Sequence, residues 1–183
     1  AELPQFREKV QWLFDALDAM GLKVLESIAV YLGLPRHFFD GKVEMGNSIL
    51  RLLHYPPVPK DGPHIRAGAH EDINVITLLL GAEEAGLEVK DHDGRWIAIN
   101  PPPGSLVCNI GDMLERLTGG RFKSTPHRVL NRSGEDRLSF PLFFAPHFTA
   151  PLQPLPIPAE ARAADRAERW DRASVHDFEG TYG

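Results

Sequence analysis

Cysteine is almost missing from this 183-residue chain: Cys108 stands alone, so no internal disulfide can form. A lone thiol suits a reducing compartment, and the cytoplasm is the expected location. Dense runs of lysine or arginine are missing too, and the net charge is -5. Both features argue against nucleic acid as the main partner. No apolar stretch approaches the ~20 residues a helix needs to cross a bilayer, so no membrane span is expected. A signal peptide is left open, because the chain opens on Ala1 rather than methionine. What is present, 43% hydrophobic and 25% charged residues, is ordinary for one domain with a substantial core.

Hydrophobic spacing divides the chain into a helix, a strand-rich middle and a tail. Pro4 stands near a helix start, and Phe6, Val10, Leu13, Leu17, Met20, Val24, Leu25, Ile28 and Leu32 recur at helical spacing. Gly33 and Pro35 end that helix, whose apolar stripe is expected to pack on the outside of a sheet. A short turn or helix follows near 36–40. Short apolar runs then predict strands at 49–55, 75–80, 87–90, 96–100, 105–110, 125–131 and 137–144. The proline-rich run 56–63 reads as a loop and Asp91-His92-Asp93-Gly94 as a hairpin turn. One helix interrupts the strands; Asp112 is its expected cap, Glu115 a solvent-facing charge completing a capping box, and Gly119-Gly120 its end. Cys108, in an apolar run, reads as a small buried filler. Residues 151–158 form a proline-stiffened connector, and 159–172 a charged helix. Many short antiparallel strands close into a double-sheet jelly roll. The expected fold is therefore mainly β with flanking helices. A helical segment (1–46) packs on a double-stranded β-helix core (47–150), followed by a connector and helix (151–183).

The chemistry is carried by His70-x-Asp72, followed fifty-five residues after the aspartate by His127, then by Arg137-x-Ser139. Two imidazoles and one carboxylate make a facial triad, which fills three adjacent corners of an octahedral iron(II) and leaves three open. His70 and Asp72 lie two apart, so on a strand both side chains leave by one face; His127 must fold back from a distant segment. A guanidinium fork and a hydroxyl both suit the far carboxylate of a keto acid, the role expected of Arg137 and Ser139. Arg128, beside His127, should point to the opposite face and form a structural ion pair. His54 should face away from Tyr55. His64, His147, Arg66 and Trp96 are weaker candidates for positions near the substrate.

In Arg51-Leu52-Leu53-His54-Tyr55-Pro56, Ala69-His70-Glu71-Asp72 running into Ile76-Thr77-Leu78-Leu79, Asn109-Ile110-Gly111-Asp112, Ser124-Thr125-Pro126-His127-Arg128-Val129 and Arg137-Leu138-Ser139-Phe140, the chain resembles a known family. It is similar to the iron(II)/2-oxoglutarate-dependent dioxygenases of the isopenicillin N synthase-like group, along nearly all of its length. The resemblance implies His70, Asp72 and His127 as iron ligands, and Arg137, Ser139 and Tyr55 as contacts for 2-oxoglutarate. It further implies dioxygen as cosubstrate, ascorbate as a reductant in some relatives, and a small-molecule substrate, most often hydroxylated with release of succinate and carbon dioxide. No catalytic residue beyond the metal ligands is expected. Leu53 stands where many plant relatives carry asparagine. The chain also lacks the N-terminal segment that usually precedes this region, which would leave a sheet edge open. The alternatives are an iron oxidase of the same family that does not use 2-oxoglutarate, a metal hydrolase that activates water, and a non-catalytic relic. Substrate identity and oligomeric state are not legible.

Overall fold

The computed structural model describes residues 3–59, 65–81, 85–158 and 180–182. Helix α1 (Phe6–Tyr31) is followed by the single turn α2 (Asp40–Val43). Among the described residues, nine strands and one further helix come next: β1 (Ile49–Leu50), β2 (Leu53–Tyr55), β3 (Ile65–His70), β4 (Ile76–Leu80), β5 (Leu87–Lys90), β6 (Trp96–Ala98), β7 (Val107–Ile110), α3 (Asp112–Leu117), β8 (His127–Leu130) and β9 (Arg137–Phe144). They form two antiparallel sheets. The larger runs β1-β9-β4-β7, with β2 also on β9; the smaller runs β3-β8-β5-β6.

The larger sheet is covered on both faces, as the unbroken burial of β4 shows. Ile76, Leu78, Leu142 and Phe144 face α1 and share a core with Leu17, Leu25 and Ile28. Gly21 lets the helix come this close, since a Cβ there would stand 2.6 Å from the Phe144 ring. Much of the predicted stripe is the contact stripe, with Leu17, Leu25, Ile28 and Leu32 buried and Leu13 and Val24 packed beside them; Phe6 and Met20 are instead exposed, and Gly21 and Ala29 are buried. Gly33, at φ 73, ends the helix as expected. The connector 151–158 turns Leu152, Leu155 and Ile157 into the same core. The other face of the larger sheet looks toward the smaller sheet, where Leu79 meets Leu87 and Val129.

Several sequence expectations need correction. The single strand predicted over 49–55 is split in two, although one register against β9 runs through both pieces. The break lies opposite Pro141: Arg51 donates its N–H to Pro141 O, but proline has no N–H to return. Strand β3 has no counterpart among the predicted strands. Asp72 therefore lies past the end of a strand rather than on one with His70. Asp112 does not cap α3: Gly111 occupies that position with no side-chain cap, and Glu115 is buried, accepting the Ser124 N–H at 2.8 Å. Cys108 is exposed, not a buried filler. The hairpin at 91–94 forms as expected, with Gly94 N–H on Asp91 O. The helix predicted over 159–172 and His64 lie outside the described residues. Among the described residues no helix is long and apolar enough to cross a membrane.

Candidate metal centre

Both histidines stand on the smaller sheet. His70 closes β3, His127 opens β8, and the two are register partners with ring centroids 4.3 Å apart. Each ring is fixed by the carbonyl two residues before it. His70 Nδ1 lies 2.7 Å from Gly68 O and His127 Nδ1 3.1 Å from Thr125 O. Donation from Nδ1–H to those carbonyls leaves each Nε2 bare and turned inward. Burial pushes His127 below its ordinary pKa against the pull of Asp72, which favours the neutral imidazole that a metal requires.

Asp72 lies in the connection that crosses from β3 to β4, and so from one sheet to the other. Its Oδ1 is 3.8 Å from Nε2 of each histidine, and one donor atom from each of the three lies within 4.8 Å of the others. Two imidazole nitrogens and a carboxylate oxygen are the donor set of a borderline divalent ion such as iron(II). The residues present fit that ion.

The triad faces a cavity between the sheets whose walls include Tyr55, Thr77, Asn109 and Ser139. An adjoining mouth is walled by Arg51, Ile73, Phe143 and Tyr182, and shares His70 and Asp72 with it. Tyr182 is brought there by the end of the described chain, where Thr181 bridges Pro151 and Tyr182 N–H donates to Ala150 O. Ser139 lines the cavity itself; Arg137 is buried two residues along on the same face of β9, with Tyr55 opposite it in the register.

The weaker candidates fall elsewhere. Trp96 lies on the outer face of the smaller sheet, stacked on Arg128 at 4.1 Å, so it is no substrate-side residue. Arg128 makes the expected ion pair, with Glu88 at 2.7 Å. Arg66 sits behind the cavity, over the Tyr55 ring, and donates to Pro56 O, Asn131 Oδ1 and Glu135 O. His54 faces outward onto Asp136, and His147 pairs with Thr149 outside both cavities. Sequence reasoning misses Thr77 and Asn109. They are register partners, two buried polar residues within otherwise apolar strands, and that contrast was the available signal.

Two facing antiparallel sheets that bring two imidazoles and a carboxylate to one point define a β-sheet protein of the mononuclear metal class. Residues 46–146 match the 2OG-Fe(II) oxygenase superfamily, and the chain belongs to that family. It is 37% identical to a probable iron/ascorbate oxidoreductase of Dictyostelium discoideum, over 97% of this chain and 54% of that protein. A crystal structure of a 2OG-Fe(II) oxygenase family protein from Caulobacter crescentus superposes with a TM-score of 0.81 at 56% identity, covering 92% of this chain and 56% of that one. A full-length Neurospora crassa protein, crystallised in complex with alpha-KG, superposes with a TM-score of 0.82 at 32% identity, covering 90% of this chain and 55% of that one. The chain thus spans about half the length of the relatives it matches.

Proposed function

We propose that this chain forms the core of a non-haem iron(II)/2-oxoglutarate-dependent dioxygenase that oxidises, chiefly by hydroxylation, a small organic molecule. The observation that carries this reading is the convergence of two Nε2 atoms and Asp72 Oδ1, each oriented by its own neighbours, in a cavity also lined by Ser139. In this reading His70, Asp72 and His127 hold the iron. Arg137 and Ser139 hold the far carboxylate of 2-oxoglutarate through charge-assisted and hydroxyl hydrogen bonds, with Tyr55 as a third contact. Bound iron, 2-oxoglutarate and dioxygen supply the oxidising chemistry, with succinate and carbon dioxide as by-products. The protein positions these groups, and Leu79, Leu87 and Val129 keep the inner wall apolar. Substrate enters by the mouth at Ile73, Phe143 and Tyr182; the Neurospora crassa relative is known in complex with alpha-KG and thymine, a ligand of that small size.

The two sheets are read as the halves of a double-stranded β-helix spanning 47–150, with 1–46 packed outside and 151–183 as connector and tail. The family match over 46–146 supports that division. A cytoplasmic location suits the exposed thiol of Cys108.

An anaerobic titration tests the function. Apoprotein receives iron(II), then 2-oxoglutarate, and a visible charge-transfer band is expected only when both are present. His70→Ala and Asp72→Ala should lose iron binding and the band together. Iron binding without the band would favour the second reading, an oxidase that draws electrons from ascorbate, to which the name of the Dictyostelium relative points. Failure to bind iron would overturn both.

A further inference from the structure

The two oxygens of Asp72 have different environments. Oδ1 faces both histidine Nε2 atoms, while Oδ2 lies 2.6 Å from Thr77 Oγ1. Thr77 belongs to β4, on the sheet opposite the histidines, and both it and Asp72 are almost fully buried, at 2% and 5% exposure.

The direction of the hydrogen bond follows from Asn74, itself 2% exposed. Its Nδ2 lies near Ile76 O and Phe144 O, which only accept, so the amide must turn its NH2 group toward them. The same NH2 group reaches Thr77 Oγ1 at 3.2 Å. With two hydrogens for three acceptors, that group cannot receive a hydrogen from Thr77, whose own hydroxyl hydrogen is left to give. The carboxylate at 2.6 Å takes it in preference to Asn74 Oδ1 at 3.3 Å, since a charged, shorter acceptor gives the stronger bond.

We propose that Thr77 is a positioning residue for the metal centre: its hydroxyl ties Oδ2 of Asp72 to the opposite sheet, so that only Oδ1 serves as a ligand. The proposal rests on the reading of His70, Asp72 and His127 as ligands. Its consequence is that Asp72 occupies one coordination position and not two. A carboxylate free to rotate about its last bond can bind through both oxygens and close a position that keto acid or dioxygen needs. Asn74 acts one step further back, by orienting the threonine.

Thr77→Ser and Thr77→Ala form a matched pair, because both lose the methyl group and differ only in the hydroxyl. Cobalt(II) is the probe: its affinity is read by competition with a chromophoric chelator, and its coordination by the visible d–d bands. The serine variant should hold cobalt within about threefold of the parent, with the parent spectrum. The alanine variant should bind about 10- to 100-fold more weakly, the usual cost of losing a partner behind a metal ligand, with altered d–d bands. Equal losses in both variants would assign Thr77 to packing alone and overturn the proposal, as would an unchanged affinity and spectrum in alanine. Should alanine fail to fold, Thr77→Val, which keeps the volume, replaces it in the comparison with serine. A parent protein that binds no cobalt would overturn the ligand reading itself, and this proposal with it.

Discussion

Arg137 shows how much one buried side chain can be asked to do. It is 4% exposed on the inner face of β9, on the same face as Ser139, and a guanidinium there suits an anion far better than water does. Hydrogen bonds between charged groups contribute about 1.5–3 kcal/mol each. Arg137→Ala should therefore weaken 2-oxoglutarate about 10- to 150-fold while iron(II) affinity stays within about threefold. Anaerobic titrations of each ligand check this, and equal keto-acid affinity in the variant would remove Arg137 from the site. Glu88 is a contrasting case, buried on the outer face between Arg128 and Arg132. Burial works against its charge, but hydrogen bonds from Arg132 and Arg128 outweigh it and hold the carboxyl below its ordinary pKa. A depressed carboxyl adds stability that is present above its unfolded pKa, about 4.3, and is lost as pH falls through the folded value. Glu88→Gln should cost about 2 kcal/mol at pH 7, and the difference from the parent should shrink below about pH 4. Urea unfolding at the two pH values measures it; a difference independent of pH would mean the ion pairs contribute nothing.

Elements here are placed by contacts that local sequence does not announce. At the start of α3, N–H groups of Gly111, Asp112 and Met113 donate to Val75 O, Asp72 O and Asn74 O, so the helix clasps the very turn that carries Asp72. Gly111 makes this possible: a Cβ would stand 1.9 Å from Asn74 O, a backbone atom with no rotamer to give way. Gly111→Ala should cost about 2–3 kcal/mol in thermal or denaturant melts and, by shifting the Asp72 turn, weaken iron binding. A variant with parent stability and affinity would show that the clasp is slack. The same contacts explain why Asp112 misleads sequence reasoning, since its position is fixed by a bond to Asp72 O rather than by a cap. Strand β9 is legible because Arg137 to Phe144 is long and rich in apolar residues. Strand β3 is not, because Ile65-Arg66-Ala67-Gly68-Ala69-His70 has little β character and its pairing with β8 shifts register twice. The hydrophobic pattern gives the buried side of α1 through Leu17, Leu25, Ile28 and Leu32, but not its closest approach, which is at Gly21, a residue with no hydrophobic signal of its own.

Across the whole molecule, the candidate site is more legible than the fold that holds it. The spacing of His70, Asp72, His127, Arg137 and Ser139 announces a constellation, and the sheets bring His70, Asp72, His127 and Ser139 to one cavity, with Arg137 buried two residues along β9 from Ser139. What sequence cannot show is that the constellation spans two sheets, with the histidines on one, Ser139 on the other and Asp72 on the crossing between them. That arrangement predicts that metal should fasten the sheets together, because the unfolded chain has no preformed site and binding stabilises only the folded state. At a metal concentration 100 times the dissociation constant the gain is about 2.7 kcal/mol, which for a chain of this size raises the melting temperature by roughly 5–10 °C. Manganese(II), which resists oxidation in air, is a suitable ion for melts followed by circular dichroism, with a chelator restoring the lower transition. His127→Ala should melt at the same temperature with and without metal. Glu88→Gln, altered on the outer face, should melt lower than the parent in both conditions yet keep the full metal-dependent rise. If His127→Ala retained that rise, the ion would be binding elsewhere, and the bridge between the sheets would not be a metal bridge.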